Sequence, residues 1–249
     1  MSEPGSLIRS LAGRPAARNF HSYVISEIGA GIISGRYPVG GSLPNDAQMM
    51  AQFDVSRTVL REALKTLESK GLVEARPKVG TKVSPRSRWN YFDPMVLAWL
   101  FQAGPDETFL HQLNDVRLAM EPQAAAEVSL SRTADDLRLM SYWVHQMEKS
   151  LSAPLNFAMA DFEFHVTIAN ASKNPFLKSL LGVMELGHCC AYKPSVAENL
   201  NVEDRLLKAH AALMESFEHR NEAGARRAAT SVINLEHELA LASLHKNSA

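Results

Sequence analysis

The sequence predicts a mainly α-helical protein in two parts, an N-terminal winged helix-turn-helix and a C-terminal all-helical bundle. Three observations carry that prediction. Between Leu43 and Val83 a cappable amphipathic helix is followed by a glycine stop and two short strands. From Glu107 onward apolar residues recur at helical spacing, with no strand-like alternation. Charge is also divided: residues 1–90 hold 13 Lys and Arg against 7 Asp and Glu, leaving 13 against 20 for the rest of a chain whose net charge is −1. A basic front and an acidic back suit a protein that meets phosphates with one end only.

The elements follow in chain order. Residues 1–16, rich in Gly, Pro and Ser, are expected to form a flexible arm whose Arg9 and Arg14, with Arg18 just beyond, brush a DNA backbone or are simply solvated. The winged domain is expected over residues 17–84. Its first helix spans Asn19 to Ser34, with Tyr23, Val24, Ile28 and Ile32 on one face. Gly35 to Gly41 is a turn. Gln48 to Phe53 makes a short helix, and Asp54-Val55 turns the chain. Ser56 then caps a helix whose buried face is Val59, Leu60, Ala63, Leu64 and Leu67. Arg57, Thr58, Arg61 and Lys65 fall on the other side, where a recognition helix meets base edges in a major groove. Gly71 ends this helix. Residues 72–75 and 81–83 read as strands around a basic turn, in which Lys78 and the nearby Lys82 suit phosphate contact. Ser56, Arg57, Thr58, Arg61, Lys65, Lys78 and Lys82 are the candidate DNA-binding residues.

Residues 85–106 are expected to hold a linker and an interdomain helix, capped by Asp93 with Pro94 at its first position. The bundle over 107–245 divides into helices at about 108–130, 133–151, 154–171, 175–192, 201–219 and 222–244.

The front of the chain resembles the GntR family of regulators. Gly35-Arg36-Tyr37-Pro38 with Gly40, then Leu43-Pro44, Val55-Ser56-Arg57 and Val59-Leu60-Arg61-Glu62-Ala63-Leu64 keep that family's spacing over some fifty residues. Two places depart. Asn45-Asp46-Ala47 lacks an arginine common there, and Lys78-Val79-Gly80 stands where the wing usually has Gly-x-Gly. The bundle resembles the FCD sensing domain of the family's FadR branch. The marks are Arg117 with Glu121-Pro122, Asp161-Phe162-Glu163-Phe164-His165, Asn174, and His210 to Met214. The string from Trp89 to Trp99 resembles a narrower group, repressors of D-galactonate catabolism. The resemblance implies a homodimeric repressor that binds double-stranded operator DNA and is released by a small carboxylate effector, a sugar acid such as D-galactonate.

Asp161 and His165 are one helical turn apart and share a face, a natural half-site for a divalent metal such as zinc. His210 sits in an apolar run with Leu206, Leu207, Leu213 and Phe217, which places it near a buried face. In related domains an Asp and three His hold a metal, and the first three map to Asp161, His165 and His210. The fourth falls at Val232, leaving Glu236 or His188 as substitutes, or a site without metal whose histidines bond the effector directly. Arg117 lies beside the bundle interior. It is expected either to clamp an effector carboxylate or to pair with Glu121. The candidate effector residues are therefore Arg117, Asp161, His165 and His210.

Other classes fit less well. A metal-dependent hydrolase or lyase built on the same trio lacks HExxH, GxSxG and a phosphate loop. A purely architectural DNA binder does not explain a polar pocket. The adjacent Cys189 and Cys190 read as small buried groups kept reduced. No apolar run approaches the roughly 20 residues of a membrane span. The first twenty residues lack a secretion signal's apolar core, so a cytoplasmic protein is expected.

Overall fold

The computed structural model describes residues 5–11, 20–76, 79–192 and 200–246. The chain divides into two compact units, residues 15–105 and residues 1–14 with 106–249.

In the first unit the helices α2 (Phe20–Ile33), α3 (Asp46–Phe53) and α4 (Arg57–Ser69) precede a two-stranded antiparallel sheet. Strands β1 (Val73–Arg76) and β2 (Gly80–Val83) pair Val73 with Val83 and Arg76 with Gly80. Local chemistry fixes the boundaries. Asn45 and Gln48 form a reciprocal capping box at the start of α3. Asp54, in the left-handed region at φ 51°, ends it. The Ser56 hydroxyl accepts the Val59 N–H at 3.4 Å to start α4. Gly71 turns the chain into β1 at φ 75°. A Cβ there would stand 1.9 Å from the Arg88 carbonyl oxygen, so only glycine fits.

The helix α5 (Pro94–Ala103) begins at the Asp93 cap, as expected, but is not a free connector. Val96 and Trp99 lie in one apolar core with Val24, Ile28, Leu60, Leu67 and Leu72. Lys70 Nζ holds Asp93 Oδ2 at 2.6 Å, tying the end of α4 to the start of α5. The helix belongs to the winged unit because its apolar face completes that unit's core.

The second unit is a helical bundle: α6 (Glu107–Ser131), α7 (Ala134–Lys149), α8 (Pro154–Ala171), α9 (Pro175–Ser179), α10 (Leu181–Ala191), α11 (Leu200–Glu218) and α12 (Glu222–Lys246). The expected helix over 175–192 is two helices. Leu180 leaves helical geometry at φ −97° and ψ 1°, and the resulting bend buries both Leu177 and Leu181. The long helices α6, α11 and α12 pack together, with α8 and α10 against them.

The expected flexible arm differs most. Residues Ser6–Leu11 form the short helix α1, which packs on α8 and α10. Leu7 and Ile8 are buried, and both their N–H groups donate to Glu185 Oε1. An apolar pair with a buried carboxylate acceptor gives this segment a docking point that its Gly and Pro content concealed. Arg9 therefore sits on a helix packed against the bundle rather than on a free arm. Arg14 and Arg18 lie outside the described residues.

Candidate functional site

The winged unit presents α4 outward. Arg57, Thr58, Arg61 and Lys65 are all exposed, while Leu60, Ala63 and Leu67 on the opposite face are buried. Arg57 and Arg61 are one turn apart and, among the described residues, carry no ion pair, as is also true of Lys82 on β2. Lys65 is engaged with Glu62 at 2.8 Å, a solvent-exposed pair that leaves it readily exchanged. Ser56 uses its hydroxyl as the helix cap. Arg76 and Arg88 both bind the Glu74 carboxylate, at 2.6 Å each. Lys78 lies outside the described residues.

The bundle gathers its polar groups in one buried place. α8 supplies Asp161 and His165, α10 His188, α11 His210, α12 Glu236, and α6 Arg117 and Glu121. All are 4% exposed or less. Asp161 Oδ1 stands 2.8 Å from His210 Nε2, 3.4 Å from His188 Nε2 and 3.5 Å from His165 Nε2. Glu236 Oε1 is 3.2 Å from His188 Nε2. The other carboxylate oxygen of Asp161 accepts the Tyr192 hydroxyl at 2.8 Å.

Each imidazole is oriented from behind. His188 Nδ1 donates to the Met184 carbonyl and His210 Nδ1 to the Leu206 carbonyl, both at 2.8 Å and one turn back. His165 Nδ1 faces Glu121 Oε2 at 3.1 Å. In the neutral imidazoles these bonds place the proton on Nδ1 and leave Nε2 facing inward as the ligand atom, the arrangement that outer groups impose on metal-bound histidines. As a result, Asp161 Oδ1, Glu236 Oε1 and Nε2 of His165, His188 and His210 are buried and have no hydrogen-bond partner. Ligand atoms of Asp161, His165, His188 and Glu236 lie within 4.8 Å of one another. These four, with His210 Nε2 beside Asp161, are nitrogen and carboxylate donors of the kind that suits a zinc-like cation.

The charges agree. Asp161, Glu121 and Glu236 against Arg117 leave two negative charges, which a divalent cation or two imidazolium protons can balance. Without a metal, protons do so. Burial opposes charge on His188, but Glu236 and Asp161 outweigh it and hold its imidazolium up to about 9. His210 is shifted upward too, burial again opposing and Asp161 prevailing. Burial penalises the Asp161 carboxylate, but His210 and His188 hold its titration well below the ordinary range.

The sequence-predicted trio of Asp161, His165 and His210 is thus brought together. Both groups left open for the fourth place, His188 and Glu236, are present. Arg117 comes to the cluster already paired, with all three of its nitrogens engaged. Its Nε and Nη2 bind Glu121, and its Nη1 binds Glu236 Oε2 at 2.5 Å. The fork expected for an effector carboxylate holds two protein carboxylates instead. Tyr192 was not anticipated. Its signal is slight, since it stands at the very end of a buried helix.

Comparison with known proteins identifies the two units. Residues 21–83 match the family described as bacterial regulatory proteins, gntR family, and residues 112–235 match the FCD domain. The chain is similar to the galactonate operon transcriptional repressor of Escherichia coli (strain K12), 27% identical over 211 residues covering 84% of this chain and 92% of the relative. It is 36% identical over 171 residues, 66% of this chain and 73% of the relative, to the uncharacterized HTH-type transcriptional regulator YieP of the same strain. A solved structure titled "Lar controls the expression of the Listeria monocytogenes agr system and mediates virulence" shares the fold, with a TM-score of 0.63 at 16% identity over 91% of this chain and 99% of that one. The relatives are regulators rather than enzymes. With a gntR-type winged helix in front of an FCD bundle, this chain belongs to the gntR family of bacterial regulatory proteins and is a DNA-binding transcriptional regulator.

Proposed function

We propose that the protein is a cytoplasmic homodimeric repressor of a sugar-acid catabolic operon, released when an aldonate such as D-galactonate enters the FCD bundle. The observation that carries the sensing role is the gathering of buried, unsatisfied donor atoms inside the bundle: Asp161, His165, His188 and Glu236 offer ligand atoms within 4.8 Å of one another, and His210 Nε2 lies 2.8 Å from Asp161 Oδ1. Similarity to a galactonate operon repressor supports the ligand class. In this reading Asp161, His165 and His210 hold a divalent ion, with His188 and Glu236 as the further donors. Bound there, the ion supplies a positive centre for an effector's carboxylate and hydroxyl oxygens. Arg117 fixes Glu121 and Glu236 rather than clamping the effector. Glu121 in turn orients His165.

The small clefts beside the cluster enclose only about 10 Å³ each, about the room of one water molecule. Ligand pockets are usually about 300–1,000 Å³. A hexonate therefore needs the surrounding helices to part, and that displacement gives the ligand its preference for one arrangement of the dimer over the other. Only such a difference in affinity shifts DNA occupancy. On the DNA side, α4 enters the major groove with Arg57, Thr58 and Arg61 toward the bases and Lys65, Lys78 and Lys82 toward phosphates.

A gel shift on DNA upstream of the protein's own gene, titrated with D-galactonate and other aldonates with and without zinc, tests this. Specific binding released by one aldonate only in the presence of metal is expected. Specific binding that no aldonate disturbs would discard the ligand class and retain the regulator.

A further inference from the structure

A second pair of metal-ligating side chains meets outside the buried cluster. His111 on α6 and His237 on α12 are 126 residues apart, yet His111 Nδ1 and His237 Nε2 stand 3.0 Å from each other. Their ring centroids are 4.8 Å apart and the rings are inclined at 63°, so the nitrogens approach edge-on rather than in a stack. One turn before His111, Glu107 Oε1 lies 3.6 Å from His111 Nε2. A carboxylate on that side favours a proton on Nε2, the tautomer in which Nδ1 faces His237 as the ligand nitrogen. Two imidazole nitrogens bound to one zinc ion at about 2.0–2.1 Å stand about 2.8–3.4 Å apart at octahedral to tetrahedral angles. The pair is already at ligand spacing. The His111 side chain is 53% exposed, so water can fill the remaining positions.

We propose that His111 and His237 form a second, solvent-facing site for a divalent transition cation of the zinc type. The two ligands come from different helices, so the ion clamps α6 to α12. Those helices carry Arg117 and Glu121 on one side and Glu236 on the other. His237 also lines a cleft that reaches Asn114, Arg117, Gly187 and Glu236. The outer ion therefore stands at the mouth of the cleft beside the buried cluster and stiffens the helices that position it. Neither histidine belongs to the buried donor set, so the two sites are separable.

Zinc alone, titrated into the full-length protein by calorimetry and counted by equilibrium dialysis, tests the proposal. His111→Ala and His237→Ala should each bind one ion fewer per chain than wild type, and the missing ion should come from the weaker class. His145→Ala, which removes an exposed histidine on α7, should bind as many ions as wild type. The wild-type Tm should rise again as zinc passes the buried site's requirement, and the His111→Ala Tm should not. Equal stoichiometry and affinity in wild type and both variants would overturn the site and leave the pair as hydrogen-bonded imidazoles. An Asp161→Asn variant that keeps the weaker class would confirm that it is not the buried cluster.

Discussion

Arg117 Nη1 donates to Glu236 Oε2 at 2.5 Å, joining α6 to α12 with both side chains buried. The same carboxylate turns its other oxygen toward His188 at 3.2 Å. One guanidinium thus sets the position of a cluster donor while neutralising part of the cluster's charge. Close approach makes this possible: a Cβ at residue 187 would stand 2.5 Å from Arg117 Nη1, so the arginine lies across Gly187 of α10.

Removing that guanidinium leaves Glu121 and Glu236 buried without a cation. Arg117→Met should destabilise the protein by about 3–5 kcal/mol, the cost typical of breaking a buried ion pair from one side. Zinc should restore part of the loss, because a divalent ion neutralises the same carboxylates. Urea unfolding with and without zinc measures both effects. A loss below about 1 kcal/mol, or one that zinc leaves unchanged, contradicts the charge balance described for the cluster.

The cluster also predicts a pH dependence. In the metal-free protein His188 titrates at about 9 against an ordinary 6.5. A pKa raised on folding contributes stability that is complete below about 6.5 and is lost as pH rises through about 9. Metal-free protein should therefore lose on the order of 3 kcal/mol across that window. Zinc-saturated protein should lose much less, since the ion takes the lone pair that the proton held. Zinc binding near pH 7.5 should release protons, seen as calorimetric heats that vary with the buffer's ionisation enthalpy. Heats independent of buffer would show that the imidazoles were already neutral.

Gly71 offers a test in the winged unit. Gly71→Ala places a Cβ against the Arg88 carbonyl oxygen and in a left-handed backbone. Left-handed strain alone costs about 1–3 kcal/mol, and the clash adds to it. Gly35 has φ 83° but nothing within 4 Å of its would-be Cβ, so Gly35→Ala carries only the strain. Thermal unfolding should rank Gly71→Ala clearly below Gly35→Ala, and equal costs would refute the clash.

What could be read from the sequence follows the range of the interactions. Ser56, Leu60, Ala63, Leu67 and Gly71 are close in sequence, so the cap, buried face and stop of α4 were all legible. Asp161 and His165 share one helical face and were legible as a half-site. His188 and Glu236 were only alternatives, because their meeting depends on how α10 and α12 pack, which periodicity does not give. Val232 falls where a family histidine is usual and is fully buried, and the cluster's donors come from α10 and one turn further along α12. The bend at Leu180 and the docking of α1 on Glu185 depend on tertiary contacts that local composition does not show.

Two cations of the winged unit, exposed Arg57 and half-buried Lys82, should separate by role. Arg57 stands in the first turn of α4, is exposed, and has no ion pair among the described residues. A base contact there predicts that Arg57→Ala costs about 1–3 kcal/mol on operator DNA and relaxes sequence preference. Lys82 on β2 instead faces the backbone in this reading. Lys82→Ala should weaken operator and random DNA about equally and reduce the salt slope by about 1. Fluorescence anisotropy on both DNAs at several salt concentrations distinguishes them. Arg57→Ala reducing both affinities by the same factor would move that residue from base reading to phosphate contact, and Lys82→Ala with an unchanged salt slope would remove the wing from the interface.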